Sequence, residues 1–353
     1  MDARRSLGYL WAMRIRMRWL VLGVGFLALG CAPSEADDAA AGLDGGPDAR
    51  PDLELDAALD MAPDAALDMA APDAGQRCNG HAANCDRALP DVVFATTHNA
   101  HAAAPVFNRL AANQHIEIAE QLALGVRGLG VKLYWSDDPD CGPEGLYAWH
   151  GFARLGCVPF ASVAQPIEAF LAASPDEVLV LTIEGSAPAA RVQAAMTEAG
   201  LDPWVYLGGE DEAWPTLQTL IEADTRLVVF KAGAGGQLGL HEMWDEIQDT
   251  PYDFQSVDEM GCGPNRGPES AALFLMNHFL TRLAPVPLEA EQTNAAAMVA
   301  PRIRACAELR GLPTLVYVDF VEQGAVLPLV AALGAPGESE ARLAAMEAVA
   351  ESL

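Results

Sequence analysis

Val178-Leu179-Val180-Leu181-Thr182-Ile183-Glu184 is apolar on both faces for most of its length and ends in a carboxylate. A strand wetted on one side alternates polar with apolar residues. A parallel strand covered by helices on both faces does not. Runs of the same kind occur at 92–97, 126–134, 145–149, 227–231, 273–277 and 315–320. Helical patterns lie between them, at 116–124, 189–199, 217–223, 295–309 and 326–333. This alternation predicts an α/β domain, either a (β/α) barrel or a doubly wound sheet. No Gly-rich phosphate loop follows the first run, which disfavours a nucleotide-binding doubly wound sheet.

The polar residues at the ends of these runs favour the barrel. The first run ends in Thr97-His98-Asn99, the second carries Lys132, and the third ends in His150. The others end in Glu184, Lys231, Asn277-His278 and Asp319. Parallel barrels assemble their sites at the C-terminal rim from several strands, so seven such residues predict one site on one rim. Lys132 and Lys231 are the two lysines of the chain, and both fall near run ends rather than on solvated helix faces. In the second run Gly128, Gly130 and Lys132 share a face, and the two glycines are expected to leave room beside the ammonium group. His81, His115 and His241 are expected on solvated loops or helix ends, and His101 on a loop. His278 is read as a core histidine or a rim residue. Arg127 is read as a structural anchor.

The chain has 353 residues, with 21 Lys+Arg against 49 Asp+Glu and a net charge of −28. Basic clusters that could neutralise phosphates are lacking, so nucleic acid is excluded as a partner. One uninterrupted apolar run occurs, 19–30, which excludes a multi-span membrane protein. Arg4, Arg5, Arg14, Arg16 and Arg18 precede that run, and Leu27-Ala28-Leu29-Gly30-Cys31 ends it. A basic region, an apolar core and small residues before a cut site predict an export signal over 1–31. The cysteine after Ala28-Leu29-Gly30 resembles that of a bacterial lipobox, which implies lipidation of Cys31 and a membrane-anchored or secreted envelope protein. Residues 32–77 are mainly Ala, Asp and Pro. They predict a disordered, extended tether to a folded domain at 78–353.

Six further cysteines are expected to form disulfides in an exported chain, with fifteen pairings formally possible. Proximity suggests Cys78–Cys85 and Cys141–Cys157, leaving Cys262–Cys306. Two-residue spacings of the zinc-knuckle kind do not occur.

The motif series Thr97-His98-Asn99-Ala100, then 121–129, then Trp149-His150-Gly151 resembles the X-region of phosphatidylinositol-specific phospholipase C. The secreted and lipoprotein branch of PLC-like phosphodiesterases is the nearest likeness. Cys78-Asn79-Gly80, Cys85-Asp86-Arg87, Asp176-Glu177-Val178, Asn277-His278-Phe279 and Val318-Asp319-Phe320 extend the resemblance over roughly residues 78 to 335. It implies an irregular, incompletely closed TIM-type (β/α) barrel. It also implies an inositol hydroxyl attacking the adjacent phosphodiester, with His98 as base and His150 as acid. Asp319 would orient His98, because the last strand of a barrel lies beside the first. The substrate would be a phosphoinositide or a related phosphodiester, with Asn99, Lys231 and Asn277 as candidate substrate contacts.

Calcium-dependent relatives place an asparagine after the first histidine and acidic residues on the second and fourth strands. Asn99 and Glu184 match, but positions 130 and 132 hold glycine and lysine. Loss of two carboxylates predicts a metal-independent site, with Lys132 supplying the positive charge and Glu184 as its ion-pair partner. A calcium enzyme with altered ligands is the weaker alternative. A third reading is a catalytically inactive barrel that binds inositol-type head groups or a protein.

Overall fold

The computed structural model describes residues 77–353 except 109, 209–212 and 283. The expectations for the export signal, for Cys31 and for the tether up to residue 76 lie outside the described residues. Ten strands and nine α-helices are assigned among the described residues. In chain order they are β1 (Phe94–Thr97), α1 (Ile118–Ala123), β2 (Gly128–Ser136), β3 (Gly145–Trp149), β4 (Cys157–Pro159), α2 (Phe160–Ala173) and β5 (Leu179–Glu184). Next come α3 (Ala189–Glu198), α4 (Leu217–Glu222), β6 (Leu227–Lys231), β7 (His241–Glu242), α5 (Met243–Glu246) and β8 (Ile247–Asp249). The chain ends with β9 (Leu273–Asn277), α6 (Pro287–Thr293), α7 (Ala296–Arg310), β10 (Leu315–Val318), α8 (Val326–Ala332) and α9 (Ser339–Ser352).

Eight strands form a curled sheet in the order β7-β6-β5-β2-β1-β10-β9-β8. Every neighbouring pair along it is parallel. Because β7 and β8 are not paired, the result is an irregular TIM-type barrel with an open seam. The first and last long strands are adjacent, with Thr97 opposite Val318.

Alternation along each strand sorts side chains into two apolar layers. Val180, Val228, Phe230, Leu273, Leu275, Leu315 and Tyr317 pack together inside the curl. Leu181, Ile183, Val229, Met276, Val316 and Val318 pack against the helices outside it. Fully burying one such aliphatic side chain contributes about 1.5–3 kcal/mol. This double burial is why the strands read as unbroken apolar runs.

The 145–149 run differs from its expected place. It does not join the parallel barrel but forms an antiparallel excursion, pairing with β2 and β4. The reason is local: only eight residues connect β2 to β3, too few for a parallel crossover. Three disulfides join Cys78 to Cys85, Cys141 to Cys157 and Cys262 to Cys306. Arg127 anchors β2 as read from the sequence: it donates to Glu177 at 2.6 Å and to the carbonyls of Leu122 and Val126. No helix among the described residues is long and apolar enough to cross a membrane.

Candidate active site

Pairing of β1 with β10 sets His98 beside Asp319. His98 Nδ1 lies 2.9 Å from Asp319 Oδ1, and the imidazole N–H donates to the carboxylate. Asp319 Oδ1 also accepts from Asn113 Nδ2 at 3.0 Å, and Asn113 Oδ1 accepts from Asn99 Nδ2 at 3.2 Å. The carboxylate, which can only accept, therefore orients both amides in turn. It leaves Asn99 Nδ2 donating to His98 Nε2 at 3.0 Å. Protonation at Nδ1 and a lone pair at Nε2 follow from this chain. Phe279 stacks on the His98 ring with centroids 3.9 Å apart and an interplanar angle of 8°. Gln114 Nε2 bonds the carbonyls of His98 and Val318, locking the two strand ends together.

His150 stands edge-on to His98, with ring centroids 6.3 Å apart. It comes not from a barrel strand but from the end of the antiparallel β3. Its Nδ1 lies 3.4 Å from the Ala111 carbonyl. Burial, with the nearby His98 and Lys132 charges, lowers its pKa to about 4. Behind it His101 is 3% exposed, with the Phe107 ring 5.7 Å away. Neither ring nitrogen of His101 makes a hydrogen bond of ordinary geometry, although the Trp149 backbone faces the ring. Burial lowers its pKa to about 3.

Lys132 is directly opposite Glu184 in the β2–β5 register. Its Nζ is 4.0 Å from Glu184 Oε2, and both side chains are a little over a quarter exposed. The other carboxylate oxygen, Oε1, accepts from Arg266 Nη1 at 2.6 Å. Arg266 also binds the fully buried Asp249 through Nε at 2.9 Å, and lies over the Trp244 and Tyr252 rings. Paired carboxylates raise its pKa against the effect of burial. Arg266, Asp249 and Tyr317 are site residues that the sequence did not point out. Arg266 sits in a long irregular connection, and β8 is only three residues long. This loop has no hydrophobic period that would fix where Arg266 falls, so no sequence signal marked it.

The space beneath Lys132 is filled rather than open. A Cβ at Gly130 would come within 2.9 Å of the Tyr317 hydroxyl, and one at Gly128 within 2.1 Å of Thr96 Oγ1. Tyr317 in turn contacts the Thr182 hydroxyl across the barrel. The two glycines thus make room for the floor of the site.

The candidate substrate contacts separate. Asn99 is 1% exposed, and its amide is committed to His98 and Asn113. Asn277 donates to Asp249 and to the Thr250 carbonyl. Lys231 is not brought to the histidines: it follows the alternation of Leu227 and Val229, which face the outer layer. Its Nζ donates to the Ala232 carbonyl at 2.7 Å, and burial lowers its pKa. His278 is a satisfied core histidine, bonded to the Thr293 carbonyl and to Arg302, and burial lowers its pKa to about 3. His241, expected in solvent, is instead packed among Tyr206, Trp214 and Phe230. The strand pairing of β7 with β6 draws it in.

Among the described residues, no group of three or more His, Cys, Asp or Glu is arranged to hold a metal ion. The donors beside His98 do not suit calcium, which needs several oxygen ligands. Asn99 turns its nitrogen toward the site, Glu184 is engaged by two cations, and positions 130 and 132 supply no side-chain oxygen.

A family model described as PI-PLC X matches residues 84–333, and the chain belongs to that family. The chain is 26% identical over 276 residues to PI-PLC X domain-containing protein 1 of Arthroderma benhamiae, covering 71% of this chain and 87% of that protein. It is 27% identical over 229 residues to a PI-PLC X domain-containing protein of Arabidopsis thaliana. That match covers 59% of this chain and 51% of the relative, so the chain spans about half of that relative's length. Among solved structures, phosphatidylinositol-specific phospholipase C from Listeria monocytogenes superposes with a TM-score of 0.45 at 15% identity, covering 74% of this chain and 94% of that one. The Staphylococcus aureus enzyme of the same name gives a TM-score of 0.48 at 13% identity, with 74% and 94% covered.

Proposed function

We propose that the protein is a phosphoric diester hydrolase of the phospholipase C type, acting on a phosphoinositide or a related phosphodiester. The observation that carries this reading is the His98–Asp319 couple facing His150 across 6.3 Å, with Lys132 close enough to bias His150. The attacking hydroxyl displaces the Asn99 amide from His98 Nε2, which then takes the hydroxyl proton, and Asp319 stabilises the resulting imidazolium. The hydroxyl oxygen bonds to phosphorus, and the bond to the diacylglycerol oxygen breaks. His150 gives its proton to that leaving oxygen. Lys132 neutralises charge on the non-bridging phosphoryl oxygens, and Glu184 holds the ammonium in place.

An acid with a pKa of about 4 is mostly neutral at pH 7. A phosphodiester anion between the rings offsets the positive neighbours and favours the imidazolium form, so the acid is armed when substrate enters. The products are diacylglycerol and a cyclic inositol phosphate, which water opens by the reverse proton path. The three disulfides suit an exported chain, and lipid attachment at Cys31 would hold the barrel at a membrane surface.

The test is a panel of phosphodiesters offered to the wild type, His98→Ala and His150→Ala, each with and without calcium. The expected result is cleavage by the wild type and losses of roughly 10²–10⁴ in either variant, with folding retained. Head-group binding that survives both substitutions, without turnover of any ester, identifies an inactive binding barrel instead.

A further inference from the structure

His150 is held by unusual means. The excursion that carries it leaves the barrel path, and its only ladders are antiparallel ones to β2 and within β3–β4. Trp149, the last residue of β3, pairs with Cys157, the first residue of β4. His150 opens the turn 150–156 between them. Cys157 is bonded to Cys141, which lies in the connection from β2 to β3. The disulfide therefore closes a ring of chain, 141–157, with His150 inside it. β3 itself is well held, by its ladder to β2 and by Trp149 stacked on Tyr134 with ring centroids 3.9 Å apart. Past Trp149 the remaining restraints are few: β4 is three residues long, the Asn108 amide bonds the Leu155 carbonyl at 2.7 Å, and the one hydrogen-bond contact of the His150 ring is the long one to the Ala111 carbonyl.

The three disulfides also differ in access. Cys78, Cys85, Cys262 and Cys306 are all buried, whereas Cys141 and Cys157 are both partly exposed. Thiol–disulfide exchange needs an attacking thiolate to reach a sulfur atom, so an external reductant meets Cys141–Cys157 first.

We propose that the Cys141–Cys157 bond is a redox-responsive clamp: a dithiol reductant opens it ahead of the other two disulfides and disarms the site by releasing His150, while the barrel stays folded. This rests on the role given to His150 above. One thiolate of the reductant attacks a sulfur of the pair, forming a mixed disulfide and freeing one protein thiolate. The second reductant thiol displaces the other, so the protein gains two electrons and two protons and the reductant leaves as a cyclic disulfide. Reoxidation restores the ring and the position of His150. The barrel strands do not depend on this bond, because both its cysteines lie outside the eight-strand path.

The experiment poises the full chain at graded ratios of reduced to oxidised dithiothreitol and blocks free thiols with iodoacetamide. Mass spectrometry then locates the blocked cysteines. Cleavage kinetics, thermal unfolding and hydrogen exchange are followed in parallel. Cys141 and Cys157 are expected to be blocked first. At that stage kcat falls roughly 100-fold, the loss that an ångström-scale misplacement brings. KM stays within about twofold, because substrate binding does not need the acid. The melt remains cooperative, amides at 145–157 lose protection while those of β5 and β6 keep theirs, and reoxidation restores kcat. Cys141→Ser combined with Cys157→Ser reproduces the reduced state. Earlier opening of another disulfide, an unchanged kcat with the bond open, or loss of the melt in step with activity each overturns the proposal. Hydrogen exchange needs no turnover, so it decides the clamp even if the wild type cleaves no phosphodiester. That last result would defeat the proposed function alone.

Discussion

Replacing Lys132 with methionine keeps the length of the side chain and removes its charge. Lys132 Nζ is 4.0 Å from Glu184 Oε2, too long for a hydrogen bond, so its donors remain available to an incoming phosphoryl oxygen. A unit charge about 4 Å from such an oxygen, at an effective dielectric near 20, is worth about 4 kcal/mol. Part of this acts on the bound substrate, which already carries one negative charge, and part only as further charge develops. The expected loss in kcat/KM is therefore roughly 10²–10³, with the larger share in kcat. Stability should change by no more than about 1 kcal/mol, since the pair is partly exposed. The assay is release of water-soluble phosphorus from phosphatidylinositol in mixed micelles, with thermal melts as a control. Lys132→Arg should recover part of the rate through its forked donors. Activity of Lys132→Met within threefold of wild type would refute the reasoning and move the required charge to Arg266.

Other consequences are equally direct. Asp319→Asn should lower kcat by roughly 10²–10⁴ with the barrel intact, read by the same assay, because the imidazolium of His98 loses its anion; an unchanged rate argues against the couple. His101 has a folded pKa of about 3 against 6.5 unfolded, so the unfolded chain takes up the extra proton as pH falls below 6.5. Its contribution is present above pH 6.5 and is lost on acidification, and between pH 7.5 and 4.5 wild type should lose about 3 kcal/mol more stability than His101→Phe. Denaturant titrations at the two pH values measure the difference, and parallel losses contradict it. Gly130→Ala drives a methyl group into the Tyr317 ring and should cost about 1–3 kcal/mol, read as a lower Tm. Chelators should leave the rate of the wild type unchanged, given the donors around His98; a rate that falls with chelation and returns with calcium reverses that reading.

Much of the site could be read from the sequence because apolar runs and their polar ends follow directly from a doubly covered parallel strand. His98, Glu184 and Asp319 sit at strand ends, Lys132 lies midway along β2 opposite Glu184, and the β1–β10 neighbourhood of His98 and Asp319 follows from closing a barrel. His150 was found for a different reason than the one that places it. Its run has the composition of a barrel strand, yet the short connection from β2 forces an antiparallel return. Lys231 shows the limit of the end-of-strand argument: position along the strand is not enough, since its parity with Leu227 and Val229 turns it to the outer layer. Arg266 and Asp249 were invisible because β7 and β8 are too short to show any period, and the loop after β8 has no repeating pattern. Burial of His241 was hidden for the same reason, being set by a two-residue strand.

Those two short strands also bear on how crowded copies of the protein behave. They are the two margins of the eight-strand path, two and three residues long, and at the β8 margin Asp249 already exchanges backbone hydrogen bonds with residues 265 and 266. A margin that short offers an approaching chain only a handful of amide and carbonyl groups, too few to seed a shared sheet. High local density, such as tethering to a surface would bring, therefore carries little risk of molecules stitching into fibrils, even though the cylinder is never closed.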